Sequence, residues 1–148
     1  MKKIIQIIIT LASIAIPSLA LANTDVNFNI LIIAASNDKN AESLVIDPQI
    51  QSLTQELNSG FPTFNTFHLI QNIEKNASEN SPASITLPTD ATLKLAILPP
   101  KSDEIKTIEL SVNQKMTTTV HAPKNAPFYQ AGMPYKNGIL VIAITITD

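Results

Sequence analysis

The fold class of this 148-residue chain is decided by the run Val26-Asn27-Phe28-Asn29-Ile30-Leu31-Ile32-Ile33-Ala34-Ala35. The run begins with apolar and polar residues in alternation and becomes continuously apolar after Asn29. Alternation predicts a strand with one buried face, and a continuous aliphatic run predicts a strand that is buried on both faces. We therefore expect a strand over Val26–Ala35 whose later half lies inside the protein.

The polar stretch after this strand, Ser36 to Ser43, predicts a loop, and the one convincing helix follows it. Asp47 can accept hydrogen bonds from free backbone amides, and Pro48 suits the first helical turn. Three apolar residues share one face at helical spacing: Ile50, Leu53 and Leu57. These signals predict a helix over Pro48–Ser59, ended by Gly60 in a left-handed conformation.

Together with the opening strand, the rest of the chain gives a predicted total of six or seven strands. Apolar and polar residues alternate, or β-branched residues cluster, in six stretches: Asn65–Leu69, Ile85–Leu87, Thr92–Ile97, Ile108–Val112, Thr117–His121 and Ile139–Ile146. Polar Glu74–Ala83 is predicted to be a loop, and Pro123–Tyr135, rich in proline and aromatics, a loop or a loose edge strand. In the last strand, four alternating residues should face the core: Leu140, Ile142, Ile144 and Ile146.

Short strands joined by turns favour an antiparallel sheet or a sandwich, with the opening strand and helix docked on it. The predicted fold class is α+β, mostly β, with one main helix near the mature N-terminus. An all-β sandwich with a decorating helix is the alternative. Residues 23–148 are expected to form a single β-rich domain.

The first 22 residues have the pattern of a secretory signal peptide. Lys2 and Lys3 precede an apolar run, Pro17 and Ser18 interrupt it, and Ala20-Leu21-Ala22 supplies the small-x-small pattern of a cleavage site. We expect a signal helix that is cleaved after Ala22 and a mature protein in the periplasm or outside a bacterial cell. An uncleaved signal that anchors the chain in the membrane is the alternative.

Composition narrows the classes of partner. The chain has no cysteine, which excludes disulfides and thiolate metal sites. It has no arginine, and loss of Lys2 and Lys3 would change the formal net charge from −2 to −4, so neither nucleic acid nor an anionic membrane surface is expected as a partner. The three glycines, Gly60, Gly132 and Gly138, cannot form a phosphate loop, and no cofactor motif is present.

Two histidines are the first candidates for chemistry. His68 and His121 fall in predicted strands, on their polar faces, and a hydrolase would need a carboxylate brought to one of them by folding. No nucleophile elbow or zinc spacing accompanies them, so we interpret both as surface residues. The adjacent acids Asp103 and Glu104 lie in a predicted turn and cannot face each other across a cleft, as glycoside cleavage requires.

A second candidate is the loop from Ser36 to Asp47. Asp38, Asn40 and Glu42 place oxygen ligands at alternate positions, which suits calcium, although Ser43 and Gln49 stand where an EF-hand has Gly and Glu. Because the loop joins a buried strand to a helix, Ser36, Asn37 and Asp38 could also line a ligand site, provided that the first strand has parallel neighbours.

A third candidate is a group of large side chains near the C-terminus: Phe128, Tyr129, Met133 and Tyr135. If these side chains are exposed, they form a patch for a protein partner. If they are buried, they cap the open end of the core, which is the interpretation that we favour.

Several structural motifs occur together: the signal, the strand Asn29–Asn37, Ile46-Asp47-Pro48, Phe64-x-x-Phe67-x-Leu69, the Leu87–Leu95 strand pair, Thr117–Val120 and the tail Gly138–Ile144. This layout resembles a family of uncharacterised exported proteins of Gram-negative bacteria, which implies a small periplasmic β-rich domain. The last hairpin is similar to the end of the β-domain of outer-membrane secretins. The shared motifs are structural, so no functional residue is transferred from either family.

These observations favour a non-enzymatic periplasmic or secreted domain that binds an envelope protein, because exposed sheet edges can pair with a partner. The alternative is a small-ligand or calcium-binding domain that uses the Ser36–Asp47 loop. A hydrolase that works through His68 or His121 is the third hypothesis.

Overall fold

The computed structural model describes residues 25–147, and the predicted signal peptide, residues 1–22, lies outside the described residues. Within the described range the chain forms nine strands, more than the six or seven predicted, and one helical segment. The strands are β1 (Val26–Ser36), β2 (Val45–Ile46), β3 (Thr66–Ala77), β4 (Ala83–Thr86), β5 (Thr92–Leu98), β6 (Ile105–Val112), β7 (Met116–Pro123), β8 (Phe128–Tyr135) and β9 (Gly138–Ile146). The helical segment is a 3-10 helix (Pro48–Leu53) followed by α1 (Thr54–Gly60).

The strands form two sheets that pack face to face. One sheet has the order β2-β3-β1-β9-β8 and the other β4-β5-β6-β7, and all pairings are antiparallel except that of β2 with β3. The main core lies between them, where Ile30 and Ile144 of the first sheet join Leu95 and Ile108 of the second. The predicted class, α+β and mostly β with antiparallel sheets, is confirmed.

The helical segment covers the other face of the five-stranded sheet. Ile50 and Leu57 are fully buried there against a second set of sheet residues: Ile33, Ala35, Phe67, Val141 and Ala143. The two central strands, β1 and β9, are therefore buried on both faces. This confirms the prediction for the later half of β1, and Leu140, Ile142, Ile144 and Ile146 of β9 face the main core as predicted.

The predicted helix is present but differs in form. Asp47 caps it as expected, since its carboxylate accepts a hydrogen bond from the amide of Gln49. Non-helical dihedral angles at Ile50 divide the segment into a 3-10 part and an α part. Gly60 was wrongly expected to end the helix in a left-handed conformation: it lies inside α1, and Phe61 caps the helix with a negative φ.

Two predicted loops contain strand residues, which make up half of Glu74–Ala83 and most of Pro123–Tyr135. Glu74–Ala77 continues β3, because it pairs with Val26–Asn29 at the start of β1 and buries Ala77 in the main core. Phe128–Tyr135 forms the edge strand β8, the second alternative for that stretch. In both places pairing with a neighbouring strand overrides a composition that is unfavourable for strands.

Gly138 begins β9 at a point of close backbone approach. It lies opposite Ser36, and a Cβ atom at this position would overlap the carbonyl oxygen of Ala35. The turn from β8 into β9 is completed by Lys136 in the left-handed region, with φ 48°. This turn places its side chains at the end of the five-stranded sheet.

Candidate functional site

A cavity of about 220 Å³ opens at the end of the five-stranded sheet, and its shape follows from side-chain size. Ala34 on the central strand β1 lies between His68 of β3 and Leu140 of β9. In the next row, Gly138 without a side chain lies between Ser36 and Tyr135. The small side chain of Ala34 between two larger neighbours leaves a depression, whereas the backbone of Ala35 occupies the space at Gly138.

Polar groups surround this depression. His68, Tyr135, Lys136, Ser36 and Asn137 line it, and Ala34 and Ile70 form the apolar part of the wall. The Lys136 ammonium lies 5.3 Å from the centroid of the Tyr135 ring, within the range of a cation–π interaction. Among the described lining residues there is no aspartate or glutamate.

The cavity brings together residues that the sequence analysis treated separately. His68 was a candidate for hydrolysis, Ser36 belonged to the predicted ligand loop, and Tyr135 belonged to the C-terminal aromatic group. Lys136 lies in the β8–β9 turn, and its position in the site depends on the pairing of β8, β9 and β1. A Ser-His-Asp arrangement would need a carboxylate beside His68, and none of the described lining residues supplies one.

His121 is on the other sheet. Its Nδ1 lies 3.2 Å from the hydroxyl of Thr107, its neighbour across the β6–β7 ladder, and its side chain is exposed. The acids Asp103 and Glu104 lie at a separate depression beside Lys124. The two histidines therefore occupy different surfaces, and the cavity contains only His68.

The Ser36–Asp47 loop is held by its own hydrogen bonds. The Asp38 carboxylate accepts a hydrogen bond from the Asn40 amide, at 2.9 Å. The Asn65 side chain accepts from the Asp38 amide and donates to the Asp38 carbonyl oxygen, each at 2.9 Å. Between residues 25 and 147, no three His, Cys, Asp or Glu side chains come together as a metal site would need. Calcium binding by Asp38, Asn40 and Glu42 stays the alternative hypothesis for this loop.

The parallel strand neighbours that a ligand site at Ser36, Asn37 and Asp38 would need are not found for β1. Both of its partners, β3 and β9, are antiparallel to it. Ser36 nevertheless lines the cavity described above, at the end of β1, where it lies opposite Gly138 of β9.

The aromatic group near the C-terminus is divided between the two faces of β8. Phe128, Met133 and Tyr135 pack against the main core, whereas Tyr129 packs under the helical segment. All four side chains are partly buried, so the structure supports the burial alternative rather than one exposed patch.

Tyr129 has an unusual environment beneath the helix. Its ring meets that of Phe61 edge to face, with centroids 6.2 Å apart. Its hydroxyl is buried and has no hydrogen-bond partner in the described part of the chain. Burial, with a smaller contribution from the Glu56 carboxylate, raises the pKa of Tyr129 from 10.0 to about 12.

The edge strand β7 is the second candidate surface. Its eight residues, Met116–Pro123, include no charged side chain and pair with β6 without a break in register. Met116 is 61% exposed, and the three threonines that follow are exposed as well. Strand edges usually carry lysine, proline or a bulge that prevents pairing with another chain. Only the last residue of β7 is a proline.

The other edges of the two sheets are protected. β4 has four residues, which is too short for extended pairing. β2 has two and leaves most of β3 without a partner on that side, but this part of β3 carries Glu74 and Lys75 and its register with β1 is irregular. β8 is longer, but its register with β9 is irregular between Ala131 and Met133, and Pro134 removes a backbone donor. Within residues 25–147, β7 is the long edge without such protection.

Comparisons with protein-family models, with curated proteins and with solved structures find no match to this chain. No helix between residues 25 and 147 has the length and apolar character that crossing a bilayer requires.

Proposed function

We propose that the protein is an exported, non-enzymatic interaction domain that binds an extended segment of an envelope protein along β7. The observation that carries this proposal is the unprotected edge, with eight residues in regular register and no charged side chain. A strand added to a sheet edge gains main-chain hydrogen bonds along its length, and side chains on alternate positions give it specificity.

The edge is held in place before any partner binds. The turn that precedes β7 is fixed to the start of β5, because the Asn113 side chain accepts a hydrogen bond from the Thr92 amide at 2.8 Å. The Asn113 amide donates in return to the Thr92 carbonyl oxygen at 2.9 Å. A strand that is already ordered loses little conformational entropy on binding, which favours affinity.

The side chains of β7 indicate the chemistry of the partner. Thr117, Thr119 and His121 extend the polar outer face of the four-stranded sheet, while Val120 and Ala122 face the main core. Met116 adds an exposed apolar side chain at one end. A complementary segment would be extended and rich in β-branched and hydroxyl residues.

A lysine at the edge tests the proposal. Thr119→Lys adds a charge to the outer edge, and its cross-strand neighbour Glu109 makes the substitution compatible with the fold. Thr86→Lys is the matched control, since Thr86 is an exposed threonine on β4, the opposite edge of the same sheet. Partners captured from envelope extracts by the unchanged protein are purified, and their affinities for all three proteins are compared.

We expect Thr119→Lys to weaken binding by tenfold or more, about 1.4 kcal/mol, and Thr86→Lys to leave it unchanged within about twofold. Hydrogen exchange of the complex should show new protection of the backbone amides in Met116–Pro123. Equal affinity of both variants, or protection elsewhere, would contradict the proposal. If β7 pairs instead with a second copy, light scattering will show a dimer of the unchanged protein that Thr119→Lys dissociates, and a separate partner is then excluded.

A further inference from the structure

The cavity at the end of the five-stranded sheet has the composition of a binding site, independently of β7. All of its lining comes from the ends of β1 and β3 and from the region of the β8–β9 turn, so no part of it belongs to the four-stranded sheet. Its volume of about 220 Å³ is below the roughly 300–1,000 Å³ of sites for drug-sized ligands, which restricts it to small molecules.

The charge of the lining selects the ligand class. Lys136 supplies a positive charge, and His68 and Tyr135 add groups that can donate hydrogen bonds. No described lining residue is acidic, so the positive charge of Lys136 is not neutralised within the cavity. A negatively charged group is therefore the complementary partner for this rim.

The rest of the wall selects what carries that negative charge. Ala34 and Ile70 present apolar surface below the polar rim. An inorganic anion would leave this surface in contact with water, whereas an apolar body attached to a carboxylate would cover it. The Tyr135 ring beneath the Lys136 ammonium also holds the cation near the cavity before a ligand arrives.

We propose that this cavity binds a small organic carboxylate, with its apolar body against Ala34 and Ile70 and its carboxylate at Lys136 and His68. Lys136 contributes the charge, His68 a directional hydrogen bond, and Tyr135 positions Lys136. Ala34 is needed because a larger side chain at this position of β1 would fill the space.

Three probes of matched shape test the charge requirement: benzoate, neutral benzamide and cationic benzylamine. Each is titrated into the isotope-labelled protein while backbone amide chemical shifts are recorded. We expect benzoate to bind with roughly millimolar affinity and to shift amides of Ser36, His68 and Asn137. Benzamide should bind about tenfold more weakly, since it lacks the charge-assisted hydrogen bond, and benzylamine more weakly still.

Two lysine variants separate the site from general surface charge. Lys136→Met should weaken benzoate binding about tenfold and change benzamide binding by less than about twofold. Lys75→Met is the control, because Lys75 is an exposed lysine of β3 that does not line the cavity. The same spectra show whether each variant is folded.

Benzamide binding as tight as benzoate, an equal loss in both lysine variants, or shifts confined to residues outside the cavity would overturn the proposal. The absence of any benzoate shift up to about 50 mM would do the same, since affinity that low is below what even a very small ligand should reach. None of these outcomes bears on pairing along β7, which lies on the other sheet.

Discussion

Replacement of Tyr129 by phenylalanine should stabilise the protein. The variant keeps the ring and its edge-to-face contact with Phe61 but removes a buried hydroxyl that has no hydrogen-bond partner among residues 25–147. A buried polar group without a partner costs about 1–3 kcal/mol, and because the Tyr129 side chain is only partly buried, we take the lower end. Urea unfolding at neutral pH should therefore show a free energy of unfolding about 1 kcal/mol higher in Tyr129→Phe.

Alkaline pH should widen this difference. Below pH 10 the Tyr129 hydroxyl is protonated in both the folded and the unfolded states, so its ionisation does not affect stability. Between pH 10 and about 12 the unfolded state releases the proton while the folded state retains it, so the unchanged protein loses stability. The full displacement of the pKa would correspond to about 2.7 kcal/mol, which solvent screening at this partly exposed site reduces to about 1 kcal/mol.

Tyr129→Phe lacks this loss, and the other titrating groups are common to both proteins. The difference in unfolding free energy should therefore rise from about 1 kcal/mol at neutral pH to about 2 kcal/mol near the top of that range. Tyr135→Phe is the control, with an effect within about 0.5 kcal/mol at neutral pH. A destabilised Tyr129→Phe, or a difference that stays constant as the pH rises past 10, would refute the reasoning.

Two further predictions concern the β9 turn and the loop. Gly138→Ala should lower the free energy of unfolding by more than about 3 kcal/mol in thermal or urea unfolding, because the new Cβ would overlap the backbone of Ala35. Gly60→Ala has nothing within 4 Å of the new atom and should be neutral or stabilise α1 by up to about 1 kcal/mol. Equal effects of the two variants would show that the close approach is absent. Millimolar calcium should leave the melting temperature unchanged, because no three His, Cys, Asp or Glu side chains come together between residues 25 and 147. A calcium-dependent rise that EDTA reverses would support the alternative function of the loop.

The regular parts of the fold could be predicted because their signals are local. Alternation over Leu93–Ile97 and Ile139–Ile146, and the Asp47-Pro48 cap, each depend on a few neighbouring residues. The errors occur where distant segments decide. The second buried face of β9 comes from the helical segment packed over Val141, and the strand at Glu74–Ala77 comes from pairing with β1. Neither partner can be recognised from the sequence of the segment itself.

The cavity could not be predicted for the same reason. His68 and Tyr135 were each noted in the sequence, but their meeting depends on the order β3-β1-β9-β8, which no local pattern specifies. Alternation correctly placed His68 on a different face from Phe67. It could not show that Ala34 would be its neighbour, or that Tyr135 would line the same cavity.

The burial of the central strands determines where this molecule can bind anything. In β1 and β9 the side chains between the strand ends are packed on both faces of the sheet, against the second sheet and against the helical segment. Substitutions there change stability before they change recognition, since close-packed aliphatic side chains leave no group for a partner to contact. The middle of the five-stranded sheet is therefore closed to partners, whereas its ends, the sheet edges and the outer face of the four-stranded sheet are open. The cavity lies where β1 ends, and among the sheet edges only β7 combines length, regular register and the absence of charge. The packing that buries the middle of the five-stranded sheet leaves the cavity and the β7 edge accessible to a ligand or a partner.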